Sequence, residues 1–341
     1  MVQPKKLIRW LIEWSIIALI VVLLLDGILY LVFHHPAKFG NNALTQFVKA
    51  VNIGAARPQP AYDPDCSIYD FDVNYRFREG QCRHRSWEFD VTIRANSAGF
   101  PDDEASLEKP EIIILGDSYA AGWGVEQEQA FPALLEQQLD RRVLVAAAPS
   151  YATGRELWLL DEMDTDNTDT VIIQFSENDA FENIEVYKNE GVTPIHHMVY
   201  RSIARTNLAR KRYLERPYYP GKYVYLVYLA FNQPAAPALP SNDSMAEHFL
   251  GILSRSKLAE MPDVDIIVAS IYESHKDDAG FVTALTAALE AEQENSLYSR
   301  ISVTGTSDVL EAEDYFILDD HLRPSGHKKV ADHLAAVIGQ E

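Results

Sequence analysis

A short apolar run that ends in a polar turn is the feature that most limits how this chain can fold. Ile112 to Leu115 are all large aliphatic residues, which is typical of a strand buried on both faces of a sheet. The run ends at Gly116-Asp117-Ser118, and Ala130–Leu139 follows with apolar residues at helical spacing. A serine in this position lies at the carboxyl edge of a parallel sheet, where open α/β folds bind their ligands. Ser118 is therefore either a nucleophile or an ordinary turn residue, since Asp and Ser are common in turns.

The same alternation continues to the C-terminus and predicts an α/β fold. Such a chain forms a parallel sheet, here of five strands, with helices on both faces. After Ile112–Leu115 the predicted strands are Arg142–Ala148, Thr170–Phe175, Val264–Ser270 and Arg300–Val303. After Ala130–Leu139 the predicted helices are Arg155–Met163, Ser244–Leu258, Ala279–Gln293 and Gly326–Ile338.

Near the N-terminus, Trp14 to Phe33 is an almost unbroken apolar run of about twenty residues, the length that a helix needs to cross a bilayer. Asp26 interrupts it at a cost of roughly 2.5–3.5 kcal/mol if central, and less toward the membrane edge. Three basic residues precede the run and favour a cytoplasmic N-terminus, namely Lys5, Lys6 and Arg9. We predict that residues 1–35 form a cytoplasmic tip and a single-pass anchor, with the rest of the chain outside the cytoplasm. A cleaved signal peptide is the alternative, although the run is long for one and no A-x-A-like site follows closely.

Two short segments separate the predicted anchor from the sheet. Residues 36–64 have little periodicity and contain Gly54-Ala-Ala-Arg-Pro-Gln-Pro60, which predicts a stalk. Residues 65–107 are rich in Tyr, Phe and Val with partial alternation, and predict a small β-rich cover on the main body. The only cysteines, Cys66 and Cys82, lie in this cover and would pair in an oxidising compartment. Two unpaired thiols are the alternative, and zinc is not expected because two cysteines make only half a site.

Residues 108–341 form the predicted main body, and the insert 181–242 interrupts its rhythm of strands and helices. The insert carries eight tyrosines and the basic run Arg210-Lys211-Arg212. Such residues can line an acceptor groove or contact anionic lipid headgroups. Aromatic residues at helical spacing more often pack, and a basic run more often forms a solvated helix face, so we expect packing here.

The formal net charge of −20 argues against nucleic acid as a partner, because its phosphates would repel most of this surface. The sequence indicates no need for a metal or an organic cofactor, and it does not indicate an oligomeric state.

The segment Asp314–His327 contains the base and the acid that an activated serine requires. In an extended conformation Asp319 and His321 share one face, so the carboxylate can orient the imidazole, whereas Asp320 would point away. His327 is expected in the first turn of a helix, packed locally. Taken alone, these residues are equally compatible with a polar loop.

Taken together, three sequence blocks resemble those of the SGNH hydrolase (GDSL-like esterase/acyltransferase) family, from roughly Val91 to the C-terminus. The blocks are Gly116-Asp117-Ser118 with Gly122 and Gly124, Ser176-Glu177-Asn178-Asp179, and Asp319-Asp320-His321 with Pro324 and Gly326. The Asp-x-His spacing is similar to that of the alginate-acetyltransferase-like branch, and Thr92–Phe100 resembles a lead-in of membrane-anchored members. One such block alone is weak evidence for the resemblance, but three blocks in chain order at strand ends are specific evidence for it.

The resemblance implies a flavodoxin-like, three-layer α/β/α body with Ser118 as nucleophile, His321 as general base and Asp319 as its orienting acid. It also implies an oxyanion hole formed by the Ser118 backbone N–H, the Asn178 side-chain amide and one further backbone N–H, with Asp117 and Asp179 in supporting positions. Loss of one such donor typically costs about 10²–10³ in rate.

The sequence departs from the family pattern at two glycines. The glycine of the second block falls at Ala147, which would then supply the third oxyanion donor, or is displaced to Gly154. The glycine of the third block is Ser176. Alanine in place of glycine is strained wherever φ is positive. The nucleophile, the base and Asn178 are kept, so we predict an active enzyme.

These residues predict an extracytoplasmic, periplasmic-type serine esterase that acts on acyl esters such as O-acetyl groups through an acyl-serine intermediate. One alternative is an O-acyltransferase onto envelope or exported polysaccharide. Another is a non-catalytic glycan-binding or assembly protein of the same fold, which Ala147 and Ser176 favour. A phospholipase or thioesterase would differ only in its pocket, so the expected substrate is an acylated carbohydrate or a lipid ester.

Overall fold

The first element of the computed structural model, which describes residues 4–233, 237–273, 276–292 and 294–339, is a long apolar helix. This helix is α1 (Pro4–His34), and from Lys6 onward it is long and apolar enough to cross a bilayer. Every side chain from Lys6 to Leu25 is exposed. The last turns differ, because one of their faces is buried against the rest of the protein. That face carries Asp26, Leu29, Val32 and Phe33.

Two short helices occupy the segment for which the sequence predicts a stalk. They are α2 (Pro36–Phe39) and α3 (Ala43–Val51), followed by a π-helical turn over Asn52–Ala56. The Asn42 side chain caps α3 by accepting two backbone N–H groups of its first turn. Val48 and Val51 are buried in one cluster with Phe33 of α1. The prediction of an irregular stalk is therefore wrong, because this segment has an apolar helical face that packs on the body.

Two antiparallel hairpins form the β-rich cover. They pair β1 (Ser67–Asp70) with β2 (Asn74–Phe77), and β3 (Gly80–Arg85) with β4 (Asp90–Ala95). A disulfide between Cys66 and Cys82 joins the two hairpins, which confirms the predicted pairing.

The rest of the chain alternates between strands and helices. In chain order these are β5 (Ile112–Gly116), α4 (Phe131–Leu139), β6 (Val143–Ala147), α5 (Thr153–Leu160), β7 (Thr170–Phe175), α6 (Asp179–Asn189), α7 (His197–Glu215), α8 (Lys222–Phe231), α9 (Asn242–Leu253), β8 (Asp265–Ser270), α10 (Ala279–Ala291), β9 (Ile301–Gly305) and α11 (Pro324–Ile338). The five strands form one parallel sheet in the order β6-β5-β7-β8-β9. This is the flavodoxin-like order, so the predicted fold class is confirmed. Gln293, the predicted end of α10, lies outside the described residues.

Helices cover both faces of this sheet. Helices α4 and α11 pack on the face that carries Ile112 and Ile114, and α5, α9 and α10 pack on the face of Ile113 and Leu115. Strand β5 contributes to both cores, which explains why it is apolar throughout. Because β5 lies between β6 and β7, its carboxyl end is at the point where the strand order reverses, the usual ligand position of such sheets.

The insert 181–242 consists mainly of helices α6 to α8 in its described part, and its eight tyrosines differ in exposure. Tyr200 and Tyr223 are buried, as expected, and Tyr187 and Tyr213 are half-buried. The other four are 39% to 61% exposed although each contacts another ring, namely Tyr218, Tyr219, Tyr225 and Tyr228. These side chains need another explanation.

Candidate active site

Ser118 lies in the turn after β5, at the carboxyl edge of the sheet. Gly116 makes the turn possible, because a Cβ there would lie 2.7 Å from both the Ala120 Cβ and the Gln174 Oε1 atoms. Gln174 Oε1 accepts the backbone N–H of Asp117 at 3.0 Å and that of Ala120 at 3.3 Å. A buried side chain of the neighbouring strand therefore holds the turn, and with it Ser118, in one position.

The structure brings Ser118, His321 and Asp319 into one hydrogen-bonded chain. His321 Nε2 lies 2.7 Å from Ser118 Oγ, and His321 Nδ1 lies 2.6 Å from Asp319 Oδ1. All three side chains are buried. The serine comes from the end of β5 and the other two residues come from the loop before α11. This is the arrangement of a nucleophile, a base and the acid that orients the base.

Asp320 does not point away from His321, so that prediction is wrong. Its Oδ1 atom lies 3.0 Å from His321 Nδ1, and it also forms an ion pair with Arg57. The prediction assumes an extended backbone, whereas residues 317–321 form consecutive bends that direct both carboxylates at the imidazole. Burial raises the pKa of Asp320, but the charges of Arg57 and His321 outweigh burial and hold this pKa well below its usual value.

Arg57 balances the two carboxylates from the segment after α3. Its Nη1 atom lies 3.2 Å from Asp319 Oδ1 and also bonds Asp320. The guanidinium stands 5.4 Å from the ring centre of Trp123, and this ring stacks on His321 with centroids 4.5 Å apart. Arg57 is not among the site residues predicted from the sequence, because its segment is predicted to be a stalk. The signal that could have located it is the helical spacing of Val48 and Val51 just before it.

The pKa of His321 results from opposing effects. Burial lowers it, but the negative charges of Asp319 and Asp320 outweigh burial and raise the pKa to about 9. The imidazole is therefore a stronger base than an isolated histidine. It is mostly protonated at neutral pH and becomes the free base as the pH rises.

Two further side chains from outside the main body hold the loop that carries Asp319 and His321. Glu88, between β3 and β4, accepts the N–H of Ile317 at 2.9 Å and that of Leu318 at 2.6 Å. Asn52, buried in the π-helical turn, donates its amide to the Leu318 carbonyl at 2.8 Å. Neither residue belongs to a recognisable motif, so the sequence offers no signal for them. The position of the base thus depends on the cover and on the segment after α1.

A cavity of about 300 Å³ opens beside Ser118 and His321. Its polar wall includes Arg57, Gln59, Ser150, Glu177, Asn178 and Glu273, and its apolar wall includes Ile53, Trp123, Pro149 and Tyr272. A larger open groove of about 970 Å³, around Glu111 and Arg142, lies at the opposite edge of the sheet. That groove contains none of the predicted site residues, so the smaller cavity is the candidate active site.

Asn178 and Asp117 form a polar floor under this cavity. Asn178 Nδ2 donates to Asp117 Oδ2 at 3.2 Å, which leaves the second amide hydrogen for the cavity. Ser176 Oγ lies 2.9 Å from the same carboxylate oxygen, so the serine in place of glycine supports Asp117. Asp179 Oδ2 accepts the Ser176 N–H at 3.4 Å from the start of α6. Burial raises the pKa of both Asp117 and Asp179.

The two residues expected at the third oxyanion position lie elsewhere. Ala147 is buried inside β6 and is not brought to the cavity wall. Gly154 lies in α5, where an added Cβ would lie 2.6 Å from the Val186 side chain. Two residues after β6 line the cavity, Pro149 and Ser150. Proline has no backbone N–H, and Ser150 has a positive φ of 64°.

Asp319, Asp320 and His321 also place ligand-type atoms within 4.8 Å of one another. Arg57 contacts both carboxylates, so its guanidinium supplies the positive charge that a metal ion would otherwise bring. These three residues are therefore better explained as an acid–base group than as a metal site.

Several solved structures are similar to this chain. A lipolytic protein of the G-D-S-L family from Desulfitobacterium hafniense is 14% identical with a TM-score of 0.37, covering 66% of this chain and 98% of its own. An esterase from Pseudoalteromonas is 13% identical with a TM-score of 0.36, covering 67% and 96%. A family two carbohydrate esterase from Clostridium thermocellum, in complex with cellohexaose, is 11% identical with a TM-score of 0.42, covering 69% and 64%.

No protein-family model and no curated protein sequence matches the chain. Proteins described as lipolytic or as esterases are thus among the similar structures. Likeness at this level of identity does not extend to activity.

Proposed function

We propose that this protein is a serine esterase of the SGNH type that cleaves short acyl esters. The observation that carries the proposal is the chain of contacts from Asp319 through His321 to Ser118, at 2.6 Å and 2.7 Å, which ends at a cavity. Ordinary turns place serine at strand ends, but they do not require an imidazole directed at its hydroxyl by a buried carboxylate.

The geometry supports a two-step mechanism. Ser118 Oγ attacks the ester carbonyl carbon while His321 Nε2 takes the hydroxyl proton, and Asp319 stabilises the resulting imidazolium. The oxyanion accepts hydrogen bonds from the Ser118 backbone N–H and from the Asn178 amide. The C–O bond then breaks, His321 protonates the leaving alcohol, and Ser118 is left acylated. Water, deprotonated by His321, then attacks the carbonyl carbon of this acyl-serine. The bond from this carbon to Ser118 Oγ breaks, the acyl group leaves as the carboxylic acid, and His321 returns the proton to Ser118 Oγ.

The donors proposed for the oxyanion are available in the free protein. Among the residues that the structure describes, the Ser118 backbone N–H forms no hydrogen bond to another backbone group. We assign the third donor to the Ser150 backbone N–H in place of Ala147, because Ser150 lines the cavity. Arg155 donates to the Ser150 carbonyl and so fixes this left-handed residue.

A short acyl group on a polar alcohol, such as an acetylated carbohydrate, suits this cavity best. A volume of about 300 Å³ is at the lower end for ligand sites and leaves little room for a long acyl chain. The wall formed by Arg57, Gln59 and Glu177 offers hydrogen-bonding groups to hydroxyls. We also propose that the catalytic body lies outside the cytoplasm with α1 as a single-pass anchor. The disulfide, which suits an oxidising compartment, and the apolar length of α1 support this location.

The test is turnover of p-nitrophenyl acetate by the full-length protein in detergent. Ser118→Ala and His321→Ala are each expected to lower kcat by at least about 10³-fold, because the two side chains act as one unit. Ser202→Ala, which changes an exposed serine of α7, is the matched control and should retain full turnover. A fluorophosphonate probe should label Ser118 only while His321 is present. Full turnover by Ser118→Ala, or neither turnover nor labelling in the unaltered protein, would exclude this mechanism.

A further inference from the structure

The exposed face of α8 is aromatic. Tyr225, Tyr228 and Phe231 recur on one side of the helix, and the last two are 61% and 73% exposed. Phe47 of α3 lies beside Phe231 with ring centroids 6.2 Å apart, and the exposed Tyr218 precedes the helix. We call these five residues the aromatic patch. Several large exposed aromatic side chains on one short helix and its neighbours mark an interaction site more often than bare surface.

Helix α8 is fixed to the last turns of α1. Asp26 Oδ1 accepts the backbone N–H groups of Tyr223 at 2.7 Å and Val224 at 3.1 Å, so that α1 caps the N-terminus of α8. The Tyr223 hydroxyl lies 2.8 Å from His34 Nε2, and its ring lies 5.3 Å from that of Phe33. The aromatic patch is therefore held next to the place where α1 leaves the body.

The fully exposed part of α1 ends at that same place. It runs from Lys6 to Leu25, and its uncharged part, from Trp14 to Leu25, is about 18 Å long at about 1.5 Å per residue. A bilayer core of roughly 30 Å that begins at Trp14 therefore reaches past Leu25. Burial begins at Asp26, the residue that caps α8, so the outer part of the proposed span lies at the level of the α8 N-terminus. Trp10 and Trp14 are exposed near its other end, as in the aromatic belts of membrane-spanning helices.

The charge of this region also favours a membrane surface. Residues 201–231 contain seven basic residues and one acidic residue, in a chain whose net charge is −20. Arg212 and Arg216 are exposed at the end of α7, where the Tyr213 hydroxyl bonds the Lys222 carbonyl at the start of α8. Basic side chains next to a membrane-spanning helix are attracted to anionic headgroups.

We propose that the aromatic patch lies in the headgroup region of the bilayer that α1 enters, with Arg212 and Arg216 at the level of the lipid phosphates. The occupant of this surface is anionic phospholipid of the outer-side leaflet. The inference rests on the membrane anchor proposed above. If the patch lies there, the proposed catalytic body rests on the membrane in one orientation. The cavity beside Ser118 then opens at a fixed distance from the membrane surface.

The test uses the full-length protein in vesicles of phosphatidylcholine with phosphatidylglycerol. The described chain has no free cysteine, so single cysteines carrying nitroxide labels can be introduced at Ile17→Cys, Tyr228→Cys and Phe71→Cys. Ile17, which is 50% exposed, lies in the apolar part of α1, and Phe71, which is 67% exposed after β1, is the matched surface control. The measurement compares the collision of each label with oxygen, which concentrates in lipid, and with a water-soluble nickel chelate.

The proposal expects lipid-like collision ratios at Tyr228 and Ile17 and a water-like ratio at Phe71. In the Arg212→Glu/Arg216→Glu background the Tyr228 label should shift toward water while the Ile17 label stays in lipid. A water-like ratio at Tyr228 with Ile17 in lipid would overturn the proposal and leave the anchor intact. A label at Tyr228 that neither reagent reaches would overturn it in favour of a protein contact. A water-like ratio at Ile17 would overturn the anchor and the patch together, without bearing on the esterase.

Discussion

At the scale of single residues, His321 is surrounded by more charge than a catalytic base requires. One carboxylate is enough to orient the imidazole, but Asp319 and Asp320 both contact Nδ1. Two negative charges favour the imidazolium, which cannot accept a proton from Ser118. Arg57 contacts both carboxylates and partly offsets them. The protonation of His321 is therefore set by three neighbours together.

The proposed ester hydrolysis should become faster with rising pH as His321 loses its proton. His321 must be neutral to act as a base, so the midpoint of kcat/KM is expected near its pKa of about 9. Asp320→Asn removes one negative charge, which lowers this pKa, so the midpoint should move to lower pH. The pH profile of p-nitrophenyl acetate hydrolysis measures it. Asp332→Asn, at an exposed carboxylate of α11, should leave the profile unchanged, and an unmoved midpoint in Asp320→Asn would contradict the assignment.

Loss of Arg57 should have the opposite effect. Arg57→Ala leaves both carboxylates without their counter-charge, so the pKa of His321 and the midpoint of the profile should rise. A rise of one pH unit corresponds to an approximately tenfold slower reaction at neutral pH. Arg57→Lys keeps the charge but loses the planar geometry, so it should recover part of the rate. An equal decrease at every pH would mean that Arg57 only supports the structure.

At the scale of secondary-structure elements, the catalytic loop depends on parts of the chain that precede the main body. Glu88 of the cover and Asn52 after α3 bond the backbone at Ile317 and Leu318. The cover in turn is held together by the disulfide between its two hairpins. Loss of this cross-link should therefore affect stability first and the position of His321 indirectly.

The double variant Cys66→Ser/Cys82→Ser should lower the free energy of unfolding. The cysteines are separated by 16 residues, and a loop of this size contributes about 3 kcal/mol in the chain-entropy treatment. Urea titration followed by circular dichroism measures the change. Reducing agent should destabilise the unaltered protein similarly and leave the double variant unchanged. Equal midpoints for all samples would show that the disulfide does not constrain the unfolded chain.

The sequence predicts the helices and strands well. It predicts poorly which side chains from distant parts of the chain meet at the site. Strands such as Thr170–Phe175 are predicted to the residue, because most residues of a strand buried on both faces are large and apolar. The Ser118, His321 and Asp319 set is predicted from motif blocks. Arg57 is not, because its contacts lie more than 260 residues away in the chain. The position of Asp320 depends on a bent backbone that no local pattern encodes.

At the scale of the whole molecule, the proposed membrane anchor and the catalytic body are not separate parts joined by a linker. The last turns of α1 share a buried cluster with α3 and α8, and this cluster includes Leu318 of the catalytic loop. The packed chain between span and sheet leaves the body little freedom to move away from α1. A soluble fragment of the protein must therefore keep the last turns of α1, which pack against the body.

A fragment of residues 26–341 should be more stable than one of residues 36–341. The shorter fragment lacks the Asp26 cap of α8 and the buried side chains Leu29, Val32 and Phe33. Each such apolar side chain contributes about 1.5–3 kcal/mol when fully buried, so the difference should be several kcal/mol. Urea titrations of the two fragments, together with their turnover of p-nitrophenyl acetate, measure it. Equal stability would mean that the contacts of α1 with the body contribute little.

The cap that Asp26 places on α8 also sets an order of events during synthesis. Its partner Tyr223 is 197 residues further along the chain. At about 5–20 residues per second, Asp26 waits roughly 10–40 s after it leaves the ribosome before α8 has been made. During that interval the outer end of α1 can pack against α2 and α3 but not against α8, so its buried cluster stays incomplete. A chain interrupted before Phe231 would keep the α8-facing side of this end uncovered, which would distinguish unfinished molecules from complete ones.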